Sequence, residues 1–121
     1  MAISATRSPA SSPAMLDISA KFFRALGDPT RLKILGLLLE GEKSVGELVD
    51  KVGAGQGRVS SHLACLRQCG LAVARREGKF VYYGLASEEV RDILEVSRKM
   101  VARNAEAIWE CTRVRSAEEE T

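Results

Sequence analysis

The chain has 121 residues, 45% hydrophobic and 28% charged, with a formal net charge of +2. That length supports one hydrophobic core, and apolar runs such as "ILGLLL" at 34–39 fall far short of the roughly 20 residues that span a bilayer, so no membrane partner is expected. Three cysteines, an odd number, do not suit a disulfide-stapled secreted domain and point to a cytoplasmic setting with reduced thiols.

The opening "MAISATRSPASSPAM" is rich in Ser, Pro and Ala and lacks an apolar signal segment, so residues 1–15 read as a disordered arm. A single domain is expected over 16–112 and a flexible acidic tail over 113–121. In "LDISAKFFRAL", Ile18, Phe22, Ala25 and Leu26 recur at helical spacing, giving a short first helix. Gly27 can end it, and Asp28 followed by Pro29 supplies an N-cap and a first-turn proline for a second helix that Gly41 stops. "SVGE" at 44–47 is a capping-box pattern that opens a third helix, "VGELVDKV". The glycines of "GAGQG" break that helix, and a fourth runs from about Gln56 to Cys69, making a helix-turn-helix pair. After Gly70, "LAVARREGKFVYYGLA" is β-rich on both sides of "EGK", which predicts a two-stranded hairpin, or wing. A last helix runs from Ser87 to about Cys111. Val90, Leu94, Ser97, Val101, Asn104, Ile108 and Cys111 follow one another there in steps of four and three, a dimer-type seam. The expected fold class is mainly α with a β-hairpin wing, a homodimeric winged helix-turn-helix.

On a helical wheel of the fourth helix, Val59, Leu63, Leu66 and Gly70 form the core stripe, while Ser60, Ser61, Ala64 and Gln68 cover the far side. Small and polar side chains opposite an apolar stripe suit a helix laid in a major groove, and equally suit a solvated face. The basic hairpin that follows favours DNA: Arg75, Arg76 and Lys79 bracket its turn, where they can sit over phosphates. Candidate contacts to double-stranded operator DNA are therefore Gln56, Arg58, Ser60, Ser61, His62, Gln68, Arg75, Arg76 and Lys79. Tyr82 and Tyr83 read as cross-strand packing. No nucleophile–base pair or glycine-rich phosphate loop stands in a suitable context, so no enzymatic activity is expected.

"ALGDPTRLKIL", "VSSHL" followed by "LRQCGLA", and "REGKFVYYGL" together resemble the ArsR/SmtB family of winged-helix metal-sensing repressors, across roughly residues 20–86. The resemblance implies a homodimer built on the first and last helices, with Ile18, Phe22, Val90, Leu94, Val101 and Ile108 at the interface. It also implies a recognition helix at 56–69 and release of operator DNA when an inducer binds. The third helix lacks the cysteines, and the last helix the Asp-His and His-Glu pairs, that other members use for metal. What remains is Cys65 and Cys69, one turn apart on one face, with Cys111 near the end. This resembles the cadmium- and lead-sensing members, which donate the third cysteine across the dimer; spacing alone allows either protomer.

Three thiolates form a soft donor set that selects Cd(II), Pb(II), Hg(II) or As(III) over hard cations, and the resemblance favours Cd(II) and Pb(II). The alternative is that the cysteines are small buried hydrophobes. His62, three before Cys65, has a spacing that permits ligation, but family members carry this histidine without using it for metal. Trp109 reads as packing. Two rival functions stand beside the metal-responsive repressor: a repressor triggered by thiol oxidation, and a cytosolic heavy-metal buffer on a helix-turn-helix scaffold.

Overall fold

The computed structural model describes residues 12–120, with side chains described as far as Cys111. These residues divide into two compact units, one ending at Ser87 and the other beginning at Glu88. In chain order the first unit holds α1 (Pro13–Leu26), α2 (Pro29–Leu39), β1 (Lys43–Ser44), α3 (Val45–Val52), α4 (Gln56–Gln68), β2 (Ala72–Glu77) and β3 (Phe80–Leu85). The second is a single helix, α5 (Glu88–Glu120).

α1 begins inside the stretch expected as an arm. The Ser12 hydroxyl accepts from the Met15 amide at 3.0 Å, and Pro13 occupies the first turn, where its missing N–H costs nothing. Ser and Pro signal a helix start as readily as they signal disorder, and here they do the former. Residues 1–11 of the expected arm lie outside the described residues. Asp28 caps α2 as expected, accepting from the Arg31 amide at 3.0 Å. That bond, more than any neighbouring charge, holds the Asp28 carboxyl below its ordinary range. The capping box of α3 is complete: Glu47 N donates to Ser44 Oγ at 3.2 Å, and Ser44 N donates to Glu47 Oε1 at 2.8 Å.

The core of this unit is formed by Ile34, Leu35 and Leu38 of α2, Leu48 of α3, and Val59, Leu63 and Leu66 of α4, with Leu71 closing it below the sheet. At about 1.5–3 kcal/mol per fully buried aliphatic side chain, this cluster is what holds the helix-turn-helix together. Lys43 is the buried cation. Its ammonium donates to the carbonyls of Leu37 at 3.2 Å and Gly41 at 3.4 Å, bracing the C-terminal end of α2 and the turn that follows.

The wing gains a strand that the sequence pattern did not reveal. β1 pairs with β3, so the sheet is three-stranded and antiparallel in the order β1-β3-β2. Glu77 faces Phe80 across the hairpin, leaving Gly78 and Lys79 as a two-residue turn in which Gly78 takes φ +63°, the left-handed conformation such turns require.

Within α5, Val90 and Leu94 are buried in the single chain, whereas Val96, Met100, Val101, Ile108 and Trp109 are exposed. The evenly spaced seam is thus divided: its first two members are core, and only later ones are open apolar surface. Asn104 leaves helical geometry at φ −121°, ψ 18°, with its side-chain amide donating to the Met100 carbonyl at 2.9 Å. A side chain inserted into the helical ladder in this way bends it, so a heptad count cannot be carried through that point. The helical backbone continues to Glu120, through the segment expected as a flexible tail.

Candidate DNA-binding face and thiol pocket

α3 and α4 meet at a short turn where Gly53, at φ +80°, ends α3 in the left-handed conformation. On α4, Val59, Leu63 and Leu66 are buried while Gln56, Arg58, Ser60, Ser61, Ala64 and Gln68 are exposed. Gly70 departs from the expected stripe. It is exposed, lies beyond the end of α4, and takes φ +77° to let the Leu71 amide reach back to the Leu66 carbonyl at 2.8 Å. Its role is to terminate the helix, not to pack.

His62 turns inward. Its side chain is only 16% exposed and lies near Asp28, with 4.0 Å from Nε2 to Oδ2, while Nδ1 faces Arg31 Nη1 at 3.1 Å. A guanidinium can only donate, so Nδ1 is the acceptor and the ring proton sits on Nε2. The same Arg31 donates from Nε to the Ala25 carbonyl at 2.8 Å and from Nη2 to the Arg24 carbonyl at 3.3 Å. Arg31 therefore ties the end of α1 to α4 through His62. With Nδ1 so engaged and little exposed surface left, the ring has no place as a fourth metal ligand or as an open base reader. This network was missed in the sequence. Its one visible trace is the arginine three residues after the Asp28 cap.

Arg75 is similarly committed. Its Nε and Nη2 hold the Glu42 carboxylate at 2.9–3.0 Å, Nη1 holds Glu77 at 2.7 Å, and the guanidinium lies 4.9 Å from the Tyr82 ring centroid. The pairing draws the Glu42 carboxyl down and pushes Arg75 up. In this structure Arg75, although exposed, braces β2 against the turn before β1 through its carboxylate partners, and Arg76 and Lys79 are exposed beside it on the wing. Neutralising Arg76 and Lys79 together is expected to weaken operator and random DNA alike and to flatten the salt dependence by up to about two units, as for two lost phosphate contacts. Arg75→Ala is expected to change the slope less. Anisotropy titrations at several salt concentrations check both; equal slopes for all three cations would mean that Arg75 leaves its carboxylates to meet the backbone.

Cys65 and Cys69 are half-buried and line a cavity of about 550 Å³ with Ile18, Lys21, Phe22, Arg24, Ala25, Arg31 and Gln68. Burial pushes the Cys69 thiol up, and the neighbouring Cys65, which shares a hydrogen bond with it, adds to the shift. Ile18 and Phe22, expected at a dimer interface, thus border the thiols. Gln68, expected on the DNA face, borders both regions. Cys111 is exposed on α5. Among the described residues no group of three or more His, Cys, Asp and Glu side chains is assembled to hold a metal; the fit to a soft ion rests on the thiol pair, two sulfur donors facing one cavity. No described helix is long and apolar enough to cross a membrane.

Comparison with known proteins agrees with this architecture. Residues 28–73 match the family model "Bacterial regulatory protein, arsR family". Over 98 residues the chain is 47% identical to a "Probable mercury resistance operon repressor" of Streptomyces lividans, covering 81% of this chain and 78% of that protein. It is 48% identical over 71 residues to the HTH-type transcriptional regulator CmtR of Mycobacterium bovis, covering 59% and 60% of the two chains. The solution structure of Mb0332 from Mycobacterium bovis, a homodimeric winged helix-turn-helix DNA-binding domain, superposes with a TM-score of 0.69 at 35% identity, covering 86% of this chain and 92% of that one. With its α3–α4 pair, its hairpin wing and these relatives, the chain belongs to the arsR family of bacterial transcriptional regulators, DNA-binding proteins and not enzymes.

Proposed function

We propose that the chain is a cytosolic homodimeric repressor that binds operator DNA when metal-free and releases it when Cys65, Cys69 and Cys111 capture a soft heavy-metal ion. The observation that carries this reading is the placement of two paired thiols, Cys65 on α4 and Cys69 at its C-cap, on the same helix that presents Gln56, Arg58, Ser60 and Ser61 to solvent. Two sulfurs select soft over hard ions. The likeness to a mercury-resistance repressor puts Hg(II) first, ahead of the Cd(II) and Pb(II) that the sequence resemblance favours, with As(III) after them. The dimer reading draws on the homodimeric relative and on exposed apolar side chains of α1 and α5, among them Leu16, Phe23, Val101 and Ile108.

Release requires that the ion bind the DNA-free conformation more tightly than the DNA-bound one. A difference of about 2.7 kcal/mol would lower operator affinity roughly a hundredfold. Operator anisotropy under reducing conditions, with Hg(II), Cd(II), Pb(II), As(III) and Zn(II) added separately, tests the proposal. A soft ion should release the DNA; Zn(II), a borderline ion that thiolates also bind, is the comparison. Operator binding unmoved by every soft ion would refute the sensor, and a chain with no affinity for duplex DNA would leave only the buffer reading.

A further inference from the structure

The cavity beside the thiols is far larger than an ion needs. At about 550 Å³ it exceeds by more than tenfold the ~30 Å³ share of one water molecule, and a bare ion is smaller still. The rest of its lining has a consistent character. Ile18, Phe22 and Ala25 give an apolar wall, Lys21, Arg24 and Arg31 contribute positive charge, and no carboxylate lines it. Arg31 already spends its donors on Ala25, Arg24 and His62, so it contributes field; Lys21 and Arg24 are exposed one turn apart on α1 and line the cavity. Two thiolates on a divalent ion make a neutral centre. A third sulfur makes it negative, and positive charge around the thiol pair favours that state.

We propose that the cavity admits the metal as a complex with a small carboxylate-bearing thiol, which stays on the ion as its third sulfur ligand, its carboxylates against Lys21 and Arg24, until Cys111 displaces it. The inference rests on the metal-sensing function proposed above and names the form in which the inducer enters. The exchange balances without oxidation or reduction. A divalent ion carrying two small thiolates gives up one of them, which leaves as a thiol with the proton of one cysteine; the other cysteine proton goes to solvent, and the centre becomes singly negative. In the second exchange the Cys111 proton leaves with the remaining small thiol, and the charge at the centre is unchanged.

The test uses the full chain carrying Cys111→Ser, with Cd(II) supplied as its glutathione complex, glutathione being a carboxylate-bearing thiol probe. Native mass spectrometry should show one ion and one glutathione per chain in the variant, and the ion alone in the unaltered protein. Cadmium supplied with cysteamine, a cationic thiol without a carboxylate, should leave no thiol behind. Adding Lys21→Gln and Arg24→Gln should weaken glutathione retention at least tenfold, followed by the sulfur-to-cadmium charge-transfer band. Cadmium bound through Cys65 and Cys69 without glutathione, or cysteamine retained equally well, would overturn this proposal and leave the sensor reading intact. Cadmium bound by neither protein would overturn this proposal, and Hg(II) bound by neither as well would overturn the sensor reading with it.

Discussion

Cys65→Ser and Cys69→Ser should each leave operator affinity within a few fold of the unaltered chain while abolishing metal-induced release, a loss of the whole roughly hundredfold response. The two activities separate because both thiols turn into the cavity, whereas Gln56, Arg58, Ser60 and Ser61 face solvent. Serine keeps the size of the side chain and removes the soft donor. The pH dependence follows from the same site. A coordinating thiol must lose its proton, and burial raises the Cys69 thiol, so protons compete strongly for the site across the neutral range. Each proton released gives about tenfold in apparent affinity per pH unit, so capture should weaken as pH falls, by up to about a hundredfold per unit for the pair. Charge-transfer absorption measured between pH 6 and 8 reads this directly. Release that persists in both serine variants would mean that these cysteines are packing residues and the inducer binds elsewhere.

Leu94→Asp and Val101→Asp should fail in different ways, although both belong to the sequence-level seam. Leu94 is 3% exposed in the single chain and Val101 is 51% exposed. A carboxylate at Leu94 combines a lost core side chain with an unpaired buried charge, costing at least about 3 kcal/mol and lowering the unfolding temperature sharply. At Val101 the charge faces solvent in the free chain, so the fold should survive while association does not. Sedimentation of Val101→Asp should show a folded monomer with poor operator affinity, and thermal unfolding of Leu94→Asp should show instability. A Val101→Asp protein that still sediments as a dimer would place the interface elsewhere, with α1 carrying more of it.

The contrast shows what a sequence of this kind displays and what it conceals. Asp28, Pro29, Ser44 and Glu47 act through bonds to near neighbours, so their residue types and spacing were enough to place the starts of α2 and α3. The core stripe of α4 was equally legible for Val59, Leu63 and Leu66, because burial repeats with the helical period. β1 was hidden because two residues cannot show an alternation, and the capping box overlaps them. Residue type and place in the helix-and-hairpin pattern put His62 and Arg75 among the DNA contacts, and neither shows a distant partner; their partners, Arg31 and Glu42, lie 31 and 33 positions away in the chain. The thiol pair was visible from its four-residue spacing. The cations around it were not, since Lys21 and Arg24 come from another helix and resemble any solvated charge.

The junction after α4 carries a mechanical consequence. Leu71 is fully buried, its amide is bonded to the Leu66 carbonyl, and its own carbonyl receives the Ala86 amide at 3.1 Å. Between Cys69 and the first residue of β2 only Gly70 and the buried Leu71 intervene. α4 and the wing are therefore joined through one buried, hydrogen-bonded junction: in the proposed repressor, a clamp on the last turn of α4 would re-aim both at once, and two weak misalignments against the same duplex would multiply into one large loss of affinity.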